Sequence, residues 1–147
     1  QRWEEEGAWQ QFSQTQKYRT WTGYAFENLC LRHISQIKKA LGISGVYTET
    51  STYRQSSTEE TEGAQIDFLI DRKDQIINLF EVKFYNTEFI VSKDFAKVLR
   101  SKTAVFQHQT NTQKMLSWIL VTTFGIRSNE HSVGILDQIL TMEDLFG

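Results

Sequence analysis

The chain has no proline, although average usage of about 5% would place roughly seven in a chain of this size. A proline-rich linker is therefore excluded, and no low-complexity tract takes its place. There is one cysteine, Cys30, so neither an intramolecular disulfide nor a cysteine-built zinc site can form. His33, His108 and His131 lie too far apart in the sequence to show ligand spacing. No apolar run approaches the ~18 residues of a membrane span, and no signal peptide is visible. With one thiol and no leader, a cytoplasmic location is expected. No Gly-rich phosphate loop of the Walker type occurs, so no ATP site is expected, and no Ser/Cys–His arrangement suggests a hydrolase triad. Excess charge is scarce too. The formal net charge is −2, whereas a dedicated nucleic-acid binder is usually basic.

What is present fits one domain. The 147 residues are 39% hydrophobic and 23% charged, a globular composition with enough chain to bury a core. Residues 1–16 are polar and Gln-rich but carry Trp3, Trp9 and Phe12. They read either as a short helix packed on the domain or as the stub of an upstream domain. The chain starts at Gln1, which suggests a piece of a longer protein. The expected division is an arm or stub over 1–20 and a domain over 21–147.

Residues 21–41 have helical periodicity, with Phe26, Cys30, Ile34, Ile37 and Leu41 at three- and four-residue spacing. Gly42 and Ile43 supply a C-terminal cap. Residues 45–53, 64–70 and 75–84 read as strands. The polar turn at 71–74 makes the last two antiparallel neighbours. Ser92 can cap a helix running to about residue 108, with a stripe of Phe95, Val98, Leu99, Val105 and Phe106. Residues 118–124 form a buried strand, with Trp118 in the core. A further short strand is expected at 133–135, and Leu145 and Phe146 close the chain in a turn or short helix. The order is α-β-β-β-α-β: an α/β fold with a mixed sheet, flanking helices and a parallel crossover.

Four charged residues interrupt segments that otherwise read as core: Glu27, Asp67, Glu81 and Lys83. Glu81 and Lys83 lie two apart on one strand and share a face. Asp67 lies on the neighbouring strand, and Glu27 on the inner stripe of the first helix. Charges two apart on a strand usually mark a solvated edge. Here Ile66, Phe68, Leu79, Phe80, Val82 and Phe84 flank them, which argues for an interior. Three buried carboxylates are costly unless a cation joins them. Mg²⁺ takes oxygen ligands, typically one or two carboxylates plus water. Asp67 and Glu81 are the expected direct ligands with the Val82 carbonyl, and Glu27 a further or water-mediated one. Lys83 is then placed to hold or deprotonate a water. Lys102, seven residues after Phe95, falls on the inner stripe of the second long helix. It either snorkels out or reaches the acids, where it could bind a phosphate. Residues 92–114 carry a net charge of +4, suited to a polyanion.

Glu27 on a helix, then Gly63-Ala64-Gln65-Ile66-Asp67, then Glu81-Val82-Lys83 resembles the PD-(D/E)XK nuclease superfamily. Ile66 stands where that pattern has proline. The resemblance implies a restriction-endonuclease-like core over about 21–125. It also implies Mg²⁺-dependent phosphodiester hydrolysis, with Mn²⁺ as a substitute, and carries the catalytic roles onto Glu27, Asp67, Glu81 and Lys83. Trp21-Thr22-Gly23-Tyr24-Ala25-Phe26-Glu27, Leu41-Gly42-Ile43, Asn78-Leu79-Phe80-Glu81-Val82-Lys83-Phe84 and Asp144-Leu145-Phe146 are similar to the nuclease-like C-terminal region of prokaryotic AAA+-type ATPases. The expectation is a nuclease domain, acting on DNA and attached to an upstream ATPase part absent from this chain, with a homo-oligomer as one arrangement. Its rivals are a catalytically inactive interaction module of an ATPase and a non-catalytic nucleic-acid-binding domain.

Overall fold

The first long apolar stripe forms two helices. In a computed structural model, residues 16–59 and 62–147 are described, with side chains from residue 22 onward. The arm carrying Trp3, Trp9 and Phe12 lies outside them. Helix α1 (Gln16–Arg32) and helix α2 (Ile34–Ala40) turn Phe26, Cys30 and Ile37 inward. The sequence reading predicts one continuous helix here, and His33 breaks it. The imidazole Nδ1 donates to Leu29 O at 2.8 Å, and the His33 N–H takes Cys30 O, so the ring competes with the helical ladder. Helix α2 then ends as expected. Gly42, at φ 74°, donates to Lys39 O, and the Ile43 N–H reaches Lys38 O while its side chain is buried.

Three strands follow: β1 (Thr48–Gln55), β2 (Ala64–Arg72) and β3 (Ile76–Lys83), paired antiparallel in that order. Beyond them come β4 (Phe89–Ile90), α3 (Lys93–Thr110), β5 (Met115–Thr122), β6 (Ile126–Arg127), β7 (Gln138–Leu140) and α4 (Met142–Phe146). Strand β5 lies parallel to β3, and β7 parallel to β5, giving a five-stranded mixed sheet in the order β1-β2-β3-β5-β7. Helix α3 is the crossover between β3 and β5, and the Ser92 hydroxyl caps it by accepting the Phe95 N–H at 3.0 Å. The protein is thus a mixed α/β fold.

Strand alternation divides the core between the two faces of the sheet. Phe68, Ile70, Phe80, Val82, Ile119 and Val121 pack with Phe26, Cys30 and Ile37. Ile66, Leu69, Ile77, Leu79 and Trp118 pack with Leu99 and Phe106 of α3. Trp118 is buried, as expected, and its indole N–H donates to Thr103 Oγ1 at 2.7 Å. Val98, assigned to the inner stripe of α3, is exposed, and Ala96 takes a buried place instead.

The last strand also differs from the sequence reading. Residues 133–135 form no strand. Val133 is 78% exposed and Gly134 has φ 82°, a turn conformation. The edge position belongs to β7, whose Leu140 is buried. Strands β4 and β6 pair parallel as a separate two-stranded sheet that the sequence reading did not anticipate. Among the described residues, no helix is long and apolar enough to cross a membrane.

Candidate active site

A bulge in β2 sets the position of Asp67. Between the pairs Ser51–Leu69 and Tyr53–Ile66, β1 advances two residues and β2 three. The extra residue falls at Asp67–Phe68 and breaks the alternation: Ile66 faces the α3 side, while Phe68 faces the α1 side. Bulges re-aim side chains in this way. The paired register of β2 with β3 begins at Phe68–Phe80. Just beyond it, the Val82 N–H donates to Asp67 Oδ2 at 2.8 Å. The carboxylate therefore takes a main-chain donor at the point where the two strands part.

Glu81 is 4% exposed, a buried carboxylate in a strand otherwise built of core residues. Its partner comes from α3: Lys102 Nζ donates to Glu81 Oε1 at 2.6 Å. Lys102 thus turns inward to the acids rather than snorkelling out. Lys83, two residues along β3 on the same face, holds its ammonium 5.8 Å from the centre of the Phe95 ring. Thr122 lies beside Lys83 in the parallel register. It is 0% exposed, and its hydroxyl has no partner among the described residues.

The electrostatics bind these groups into one cluster. Burial pushes Glu27 up to about 7, and the charges of Asp67 and Glu81 push in the same direction. Burial also raises Glu81, with Asp67 adding to the effect and Lys102 opposing it. Asp67 is raised by burial against the pull of the Val82 N–H, Lys102 and Lys83. Cys30, beneath them, is pushed up to about 12 by burial first and then by Glu27 and Asp67. It is an inert core thiol, as the sequence implies.

The structure brings Asp67, Glu81 and Lys102 together, with Glu27 and Lys83 within electrostatic reach. It does not assemble a three-carboxylate cage. Among the described residues, no group of three or more His, Cys, Asp or Glu side chains is arranged to hold a metal ion as it stands. The reason is visible in the bonds: Glu81 turns one oxygen to Lys102, and Asp67 one to Val82. Val82, expected to offer its carbonyl, also gives its N–H, to Asp67. The second oxygens of Asp67 and Glu81 are hard donors of the kind Mg²⁺ takes alongside water. The residues therefore suit a cation held by two carboxylates and solvent. The Val82 donor and the Thr122 hydroxyl depend on strand register, which no residue pattern in the sequence specifies.

Compared with family models and with curated proteins, the chain matches none. Among solved structures it is similar to one described as a protein of unknown function, AF1548, with a TM-score of 0.48 and 15% sequence identity. The match covers 76% of this chain and 56% of that one, so it spans little more than half of the neighbour's length.

Proposed function

We propose that this chain is a metal-dependent nuclease domain of the PD-(D/E)XK type, with a restriction-endonuclease-like core, hydrolysing phosphodiester bonds in DNA. The observation that carries the reading is the buried Glu81 beside the half-buried Asp67, with two lysines on hand. Lys102 is bonded to Glu81 at 2.6 Å, and Lys83 projects from the same face of β3. Asp67 and Glu81 would hold Mg²⁺, or Mn²⁺ in its place, with Glu27 reached through water. When bound, such an ion would supply a more acidic water and neutralise charge on a phosphate oxygen. The residues themselves do the rest. The Val82 N–H fixes Asp67, Lys102 favours the ionised form of Glu81 and carries positive charge towards a phosphate, and Lys83 orients the attacking water. The basic residues of α3 draw in the polyanion. The reading places this domain after an ATPase part that these residues do not include.

A second reading has its own support. Lys102 already pairs with Glu81 in the absence of a metal, as it would in an inactive interaction module of an ATPase. Cleavage assays separate the two. Single-stranded, duplex and branched DNA are incubated with Mg²⁺, Mn²⁺ or EDTA, using wild type, Asp67→Asn and Lys83→Ala. The nuclease reading expects metal-dependent cleavage that both substitutions abolish. Absence of cleavage on every substrate, or cleavage that survives Asp67→Asn, rejects it.

A further inference from the structure

Past Lys83, the chain of β3 runs into Phe84, which meets the core ring of Phe26 edge-on at 5.6 Å, and then into Tyr85, an exposed ring that the proposed hydrolysis does not use. The Lys83 ammonium stands 5.8 Å from the Phe95 ring centre. Phe95 meets Phe89 edge-on at 5.0 Å, and Phe89 meets Tyr85 at 5.1 Å with a tilt of 34°. A wall of three rings therefore leads from the lysine outward to Tyr85, which is 46% exposed. The wall borders an open groove of about 380 Å³. The Tyr85 N–H donates to Thr123 Oγ1 at 3.0 Å, which ties the next residue, Phe124, to the same end of the sheet with 60% of its surface in water.

We propose that this groove takes a nucleotide whose base is unpaired, with the base stacked on Tyr85 and a backbone phosphate on Lys83, so that single-stranded DNA is the substrate class. The proposal rests on the nuclease reading and names the form of its substrate. Charge favours a nucleic-acid strand over an apolar partner. Lys83 stands at the inner end, and the Ser92 end of α3, where Lys93 and Lys97 outnumber Asp94, forms part of the lining. Glu88 is the single acid in the lining and lies among its polar residues with Thr87. Stacking favours an unpaired strand. Every base has a π-face that an aromatic platform can hold, but in a duplex neighbouring bases cover those faces.

The test is fluorescence anisotropy in EDTA at fixed salt, comparing a labelled oligothymidylate with a blunt duplex of equal length. The single strand binds at least tenfold more tightly. Tyr85→Ala weakens it by about tenfold, and Tyr85→Trp restores it. Met115→Ala, an exposed apolar residue at the opposite end of β5, changes nothing. Equal affinity for both DNAs, no affinity for either, or a Tyr85→Ala effect no larger than that of Met115→Ala overturns the proposal. Tyrosine-dependent binding without metal-dependent cleavage overturns the nuclease reading alone. Cleavage with no preference for single strands overturns this proposal alone.

Discussion

The Lys102 ammonium stands 2.6 Å from Glu81 Oε1 and so joins the basic helix α3 to a carboxylate that is 4% exposed. Coulomb attraction at this distance matters because one partner is shielded from water. Removing one member of a buried pair leaves the other uncompensated, at a cost of about 3 kcal/mol or more. Lys102→Met should therefore destabilise the metal-free protein by about that amount in urea unfolding. Adding Glu81→Gln should recover most of the loss, because the charge that Lys102 compensated is gone. Equal destabilisation in the single and double variants would show that packing, not charge, holds the pair.

Asp67 offers a cleaner separation of structure from chemistry. Its Oδ2 accepts the Val82 N–H, and an asparagine amide oxygen can accept the same bond. Asp67→Asn should fold with wild-type stability or slightly more, since it removes a charge that burial disfavours. Asp67→Ala leaves the Val82 donor bare and should cost about 1–3 kcal/mol. Thermal melting of the two variants reads the difference. Identical midpoints would mean that the bulge holds its shape without this bond.

Much of the arrangement is legible in the sequence. The two-residue spacing of Glu81 and Lys83 places them on one face, and the seven-residue step from Phe95 places Lys102 on the inner stripe of α3. Gly42 and Ser92 mark helix ends because backbone chemistry demands such residues there. The bulge at Asp67 was not legible, because an extra residue in a ladder changes pairing without changing composition. The break at His33 turns on one side-chain bond to Leu29 O, which an apolar period cannot register. Val133 and Ile135 are β-prone, so the sequence points to a last strand at 133–135. Tertiary pairing with β5 chose 138–140 instead.

The acid cluster predicts an unusual pH response. Glu27 is raised to about 7 by burial and by its acidic neighbours, and burial also lifts Glu81 and Asp67. In acid, the folded and unfolded chains both hold the Glu27 proton. As pH rises past the ordinary value of 4.5, the unfolded chain releases it, while the folded chain keeps it until about 7. The stability linked to this proton is therefore full below 4.5 and lost across the window up to about 7. The metal-free melting midpoint should fall by a few degrees between about pH 5 and about pH 8. Glu27→Gln should flatten that decline. Asp74, held below its usual value by Arg72, acts only in more acid solution. An unchanged slope in Glu27→Gln would remove Glu27 from the cluster.

Titration calorimetry with Mn²⁺ near neutral pH, comparing wild type with Asp67→Asn, most directly tests whether these acids form a divalent-cation site. The account predicts one ion per chain in wild type, with binding at least tenfold weaker, or lost, in the folded Asp67→Asn variant. Absence of binding in wild type, or equal affinity in both proteins, would contradict it.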